Sequence, residues 1–275
     1  MDLATLLGII IAVASVLVCN MMEDGSLASL FNPSALILVV CGTLGATIIS
    51  FSLQDALALP KLIMLTVFNK QQNPLNVIDM LVGCAEKARR EGLLVLQESL
   101  TGNEDPFLVR GMNLVIDGAD PALVRGILET DLAFLERRHS TGAGVLETAG
   151  GYAPTMGIIG TVMGLVQVLG KLENPSELGP AIAVAFLATF YGIASANMFW
   201  LPLAAKLRLR NKGETLIKEL MIEGMLSIQA GENPRIVREK LEAFLAPKFH
   251  REAKEAKDAK DAKDAKEQGA ERKAG

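Results

Sequence analysis

Four stretches of this chain, residues 3–19, 35–51, 151–169 and 181–205, contain no Asp, Glu, Lys, Arg or His. A helix needs roughly 20 predominantly apolar residues to cross a bilayer, where it must satisfy its backbone polar groups internally. Four charge-free windows predict four spanning helices in an all-α integral membrane protein. A buried helix of a soluble enzyme would explain one such window, but hardly four. Composition agrees: half of the residues are hydrophobic, only 5% are aromatic, and the mean hydropathy is positive. The acidic Asp2, rather than a basic n-region, precedes the first window, which therefore reads as a retained helix and not a cleaved signal.

Lys and Arg near the window ends set the expected orientation. Residues 20–34 carry Glu23 and Asp24 but neither Lys nor Arg, and residues 171–180 carry a single cation, Lys171. By contrast, Lys61 and Lys70 follow the second window, Arg137 and Arg138 precede the third, and Lys206, Arg208, Arg210 and Lys212 follow the fourth. Both termini and the long middle segment are expected in the cytoplasm.

The chain divides accordingly into spans one and two (residues 1–53), a large helical cytoplasmic segment (54–150), spans three and four (151–205), a helical C-terminal segment (206–252) and a charged tail (253–275). In the middle segment, Val77, Ile78, Leu81 and Val82, then Leu93, Leu94 and Leu96, recur at helical spacing. Asn73-Pro74, Asp120-Pro121 and Asn233-Pro234 read as helix starts. Residues 253–266 repeat a Lys-Asp-Ala triplet, too poor in apolar surface to predict more than a frayed helix or a solvated tail.

Several function classes fall away. A net charge of −4 argues against nucleic acid as a partner. Cys19, Cys41 and Cys84 fit neither a disulfide framework nor a zinc pattern, and His139 and His250 are far apart, so no metal site is expected. No nucleophile–base pair or cofactor motif suggests an enzyme.

What remains lies in the last two windows. Gly157, Gly160 and Gly164 form a small-residue ridge on the third, and Ala185, Ala188, Gly192 and Ala196 form one on the fourth. Such ridges allow close helix packing, within a subunit, between subunits or against a partner. Pro154 and Pro202 predict a kink or a helix start. Thr161 and Thr189 are the deepest polar residues; their hydroxyls either bond their own helices or face an ion path. Proteins that move protons or sodium normally use an intramembrane acid, and these windows hold none. Either the chain conducts nothing, or a partner helix supplies the acid.

Residues 153–165, Ala-Pro-Thr-Met-Gly-Ile-Ile-Gly-Thr-Val-Met-Gly-Leu, closely resemble the third-span signature of the MotA/PomA family, the A subunits of flagellar-motor stators. Residues 185–192 (Ala-Phe-Leu-Ala-Thr-Phe-Tyr-Gly), Leu201-Pro202-Leu203-Ala204, Asp2-Leu3-Ala4-Thr5 and Gly42-Thr43 are similar to that family as well. The resemblance spans nearly the whole chain apart from the tail.

It implies a homopentameric ring in the bacterial inner membrane, closed around a dimer of MotB-like single-span subunits that supply the ion-binding Asp. Ion passage would turn the ring, and its cytoplasmic block would push the rotor protein FliG through charge contacts. Arg89, Arg90 and Glu98 match the rotor-facing charges; Arg90 and Glu98, two helical turns apart, would share one exposed face. Pro154 and Pro202 match the family's functional prolines, Thr161 and Thr189 match residues near the ion path, and Glu147 is placed at the cytoplasmic mouth. Sodium-type relatives often carry a Thr-Thr pair where this chain has Ala188-Thr189, which points to protons rather than sodium, with no cofactor. Two alternatives stand beside this reading. One is the ExbB/TolQ class, which typically has three spans and energises outer-membrane processes. The other is a non-conducting membrane scaffold.

Overall fold

The computed structural model describes residues 3–68, 72–99, 105–170, 172–173 and 175–245. Asp2, Lys70, Lys171, His250 and the Lys-Asp-Ala tail lie outside the described residues. Among the described residues the regular structure is entirely helical. The helices are α1 (Leu3–Met22), α2 (Pro33–Ser50), α3 (Leu53–Leu57), α4 (Leu59–Phe68), α5 (Pro74–Glu91), α6 (Val95–Ser99), α7 (Pro106–Ile116), α8 (Pro121–Leu169), α9 (Pro175–Ser195), α10 (Leu201–Gln229) and α11 (Pro234–Glu242). A 3-10 turn, Leu27–Leu30, lies between α1 and α2, and a π-helical segment, Ala196–Trp200, joins α9 to α10.

Each of the three predicted Asn/Asp-Pro starts opens a helix. Asn73, Asp120 and Asn233 accept backbone N–H groups that the first turn leaves unpaired, and the following proline has none to lose. The same chemistry at Asn32-Pro33 and Asp105-Pro106 starts α2 and α7.

Four helices are long and apolar enough to cross a membrane: Leu3–Met22, Leu27–Ser50, Pro121–Leu169 and Leu178–Gln229. The last two far exceed a bilayer's requirement, because each runs on past its charge-free window. Ile10, Ile11, Ile37, Ile49, Ile158 and Val166 are all exposed, Ile49 to 87%. Soluble monomers rarely leave so large an apolar surface to water, whereas a bilayer favours it. The chain is a multi-pass membrane protein.

The chain forms two compact units, residues 1–70 with 136–211, and residues 71–135 with 212–275. The first holds α1 to α4, the apolar part of α8, and α9 with the start of α10. Leu59, Val145, Leu146, Leu203 and Ala204 form a small core there. The second gathers α5, α6, α7 and α11 with the remaining parts of α8 and α10. Its core includes Ile78, Leu81, Leu96, Leu108, Met112, Val115, Leu128, Leu220, Met221, Met225 and Leu241, all essentially inaccessible. The middle and C-terminal segments, separate in sequence, thus share one hydrophobic core.

One expectation fails. Arg90 and Glu98 do not lie on one helix: α5 stops at Glu91, Gly92 takes φ 89°, and α6 starts only at Val95. Glycine enters that left-handed region without a Cβ penalty, which makes it a natural helix terminator.

Candidate ion pathway at the crossing of α8 and α9

The two small-residue ridges meet each other within one chain. A Cβ on Gly157 would lie 2.8 Å from the Ala188 carbonyl oxygen and 2.9 Å from the Thr189 Cα. On Gly164 it would lie 2.6 Å from the Ala185 Cβ, and on Gly192 it would lie 2.5 Å from the Ala153 carbonyl oxygen and 3.1 Å from the Pro154 Cα. Contacts this close involve backbone, which cannot swing aside, so only glycine fits. Without a hydrophobic driving force inside a bilayer, such backbone-level packing holds helices together.

Thr161 and Thr189 face each other across this crossing, and their hydroxyls hydrogen-bond. The Thr161 hydroxyl also reaches the carbonyl of Gly157 on its own helix (3.2 Å) and that of Ala185 on the other (3.0 Å). The Thr189 hydroxyl reaches the Gly157 carbonyl at 3.3 Å. Own-helix bonding and a cross-helix role therefore coexist. Each hydroxyl has one proton to donate and two lone pairs to accept with, so the half-buried pair keeps acceptor capacity for an outside donor or cation.

Both prolines lie on one side of this pair, toward the C-terminal end of α9. Pro154 lies inside α8 against Gly192, and having no N–H it withdraws the helical donor that the Gly150 carbonyl would otherwise receive. Pro202 follows the π segment, where the Leu201 N–H bonds the Ala196 carbonyl five residues back. That widened turn gives the proline ring room inside a continuous helix. Glu147 is paired with Arg208; both side chains are about half exposed, so the pair is worth about 0–1 kcal/mol.

Two tyrosines not singled out from sequence tie the spans together. The Tyr191 hydroxyl on α9 donates to the Leu30 carbonyl and accepts the Asn32 N–H (2.8 Å), fixing the turn ahead of α2. The Tyr152 and Ser50 hydroxyls lie 2.8 Å apart, joining α8 to the end of α2. The available signal was general: a phenol in an apolar span needs a partner for its hydroxyl.

In the second unit, Arg89 and Arg90 are exposed in the last turn of α5, and Glu98 is exposed on α6. This unit also holds two charge clusters that sequence did not single out. Lys218, 5% exposed, pairs with Asp105, the N-cap of α7, and its ammonium lies 5.1 Å from the centre of the Phe107 ring. Glu223 on α10 is held by Lys240 of α11 (2.5 Å) and Arg125 of α8 (2.9 Å). The Lys240 hydrogen bond, opposed by desolvation and helped by Arg125, keeps the Glu223 carboxyl below its usual range. Glu223 in turn raises the pKa of both Lys240 and Arg125.

Comparison with known proteins accords with this geometry. The MotA/TolQ/ExbB proton channel family profile matches residues 100–221, and the Motility protein A N-terminal profile matches residues 6–92. Motility protein A of Bacillus subtilis is 37% identical over 249 residues, 90% of this chain and 92% of that protein. Chemotaxis protein PomA of Vibrio alginolyticus is 38% identical over 245 residues, 89% of this chain and 96% of that protein. A chain of the flagellar MotAB stator complex of Bacillus subtilis superposes with a TM-score of 0.85 at 36% identity, over 90% of this chain and 98% of that one. With four apolar helices, both profiles matched and relatives aligned along nearly their full length, this chain belongs to the MotA/TolQ/ExbB proton channel family, on its motility protein A side.

Proposed function

We propose that this chain is the A subunit of a flagellar stator, which works with a MotB-like single-span partner to turn proton flow across the inner membrane into torque on the rotor. The observation that carries this reading is the α8–α9 crossing: two apolar helices in backbone contact, with a paired threonine site but no acid in either charge-free window. A conducting path built on them needs a carboxylate from elsewhere, and the partner's Asp supplies it. The paired hydroxyls orient a water or a dehydrating ion beside that Asp, as oxygen ligands do in other pathways. Pro154 lies at the crossing against Gly192, and Pro202 lies further along the same end of the fourth span, where a change of helix bend alters the crossing.

Both termini and the segment between the second and third spans face the cytoplasm. The distribution of Lys and Arg supports this, and so does a cavity lined by both Thr5, near the start of α1, and Lys206, just past the fourth apolar window. Five copies enclose two partner helices. Arg89, Arg90 and Glu98 present mixed charge to FliG at the joint between α5 and α6, and Glu147 with Arg208 lies toward the cytoplasmic mouth. The fourth span and the Motility protein A N-terminal match favour this over an ExbB/TolQ-type role.

The test is complementation. In a bacterium lacking its own stator subunits, this chain expressed with its single-span partner restores swimming, and either protein alone does not. Rescue of an outer-membrane energisation defect with no effect on motility would overturn the proposal.

A further inference from the structure

We infer that Thr43 and Thr47, one turn apart on α2, hold a buried water molecule between their hydroxyls inside the membrane-spanning unit. Thr43 is 1% exposed, and its hydroxyl oxygen is completely covered yet has no hydrogen-bond partner in the protein. Among the described residues of this unit, it is the one buried side-chain oxygen or nitrogen left so. A covered hydroxyl without a partner has given up its hydration and received nothing in return. Bulk water does not reach it within an apolar span, so the group that satisfies it must be bound there.

Thr43 also forgoes the usual local remedy. Thr47, Thr141 and Thr161 each donate to the carbonyl four residues back, at 2.8, 3.0 and 3.2 Å. Thr43 makes no such bond to Val39, so its hydroxyl is turned away from its own backbone.

The spacing on α2 selects the occupant. Residues four apart on a helix have Cβ atoms roughly 5–6 Å from each other. That is too long for two threonine hydroxyls to bond directly and suits a single bridging water. The two hydroxyls are complementary. Thr47 has committed its proton to the Thr43 carbonyl and keeps lone pairs, whereas Thr43 has its proton free. A water between them accepts from the Thr43 O–H and donates to the Thr47 oxygen, which meets the minimum of two polar partners for a buried water. Thr47 is 0% exposed, and both residues lie on the covered face of α2 with Ala35 and Val39, where α2 packs along α9. The neighbouring Gly42 receives the Met156 side chain, and Met156 precedes Gly157 of the α8–α9 crossing. The bridge therefore fastens α2 beside the contact that carries the threonine pair.

The test uses the full chain assembled with its partner in nanodiscs. A cryo-EM map fine enough to show ordered water is expected to place a peak roughly 2.7–3.2 Å from both the Thr43 and Thr47 oxygens. The same peak should be missing from the map of Thr43→Val. The direction of the thermal shift is a second readout. A merely stranded hydroxyl would be relieved by Thr43→Val, and heat-induced dissociation would come later. With a water bound, Thr43→Val leaves the Thr47 side of the bridge unpaired, and dissociation should come about 2–4 °C earlier. Thr43→Ser keeps the hydroxyl and should keep the peak. Thr43→Val and Thr47→Val together should lose less than the sum of the two single changes. A map with no peak between the two oxygens, or with the Thr43 hydroxyl turned onto the Val39 carbonyl, would overturn the inference. So would an unchanged or later dissociation of Thr43→Val.

Discussion

The Thr161 hydroxyl on α8 hydrogen-bonds the Thr189 hydroxyl on α9, so the deepest polar groups of two apolar helices satisfy one another across their contact. Interhelical hydrogen bonds in membranes are worth roughly 0.6–2 kcal/mol. Thr161→Val and Thr189→Val should each lower the thermal stability of the solubilised complex by about that amount. The double variant should lose less than the sum, because either single change already breaks the shared bond. Additive losses, measured by heating the complex and following its dissociation, would show that the two hydroxyls act independently.

Backbone contact at the crossing gives a second expectation. Gly157→Ala sets a methyl 2.9 Å from the Thr189 Cα, and the helices must part to admit it. Overpacking of this kind costs about 1–3 kcal/mol. Gly45→Ala on α2 is the control, since a Cβ there meets nothing within 4 Å. Heat-induced dissociation should come earlier for Gly157→Ala and be unchanged or later for Gly45→Ala.

Lys218 and Asp105 form an almost fully covered pair, with side chains 7% and 16% exposed. Lys218→Met leaves the Asp105 carboxylate without its cation and should cost about 3–5 kcal/mol. Adding Asp105→Asn removes the stranded charge and keeps a side-chain acceptor for the Phe107 N–H that Asp105 now caps (2.9 Å). The double variant should therefore recover much of the loss in resistance to denaturant, read out by limited proteolysis of the second unit.

The Glu223 cluster predicts a pH dependence. Glu223 has a depressed folded pKa, chiefly through the Lys240 hydrogen bond. Its contribution is therefore present above the unfolded value of 4.5 and lost as pH falls through the lower folded value. Lys240 is shifted upward, so its contribution holds below 10.5 and is lost only as pH rises past that. Stability of the second unit should be flat between these limits and fall in acid. Glu223→Gln should lower the neutral plateau and flatten part of the acid slope, as followed by thermal melts from pH 3 to 8.

Much of this architecture is legible in the sequence. Charge-free windows mark the spans, since the cost of burying a charge in lipid leaves no other pattern. Asn-Pro and Asp-Pro mark helix starts because the side chain and the missing N–H act locally. Helix ends are harder to read. The third span continues back to Pro121 and the fourth on to Gln229 because helical periodicity is the same in lipid and in water. Nothing at Ala205 interrupts the period that places Ile217, Leu220, Met221 and Met225 in a core. The break between Arg90 and Glu98 was legible at Gly92 as a C-terminal glycine, but the leucines beyond it maintain helical spacing and hide it.

Non-local relationships were not legible. The glycine and alanine ridges are visible as small residues, yet only coordinates show that they pack against each other rather than against a partner. The same holds for the π segment, which depends on how one turn accommodates Pro202, and for the Tyr191 bonds to Leu30 and Asn32, some 160 residues away in sequence.

The most direct test of the central claim is proton uptake into vesicles under an imposed potential, with this chain and its single-span partner together, and with each alone. Uptake is expected only in the joint assembly, and Thr189→Val should reduce it while the assembly persists. Uptake by this chain alone, or none from a fully assembled pair, would contradict a path in which the paired threonines of one subunit serve an acid supplied by the other.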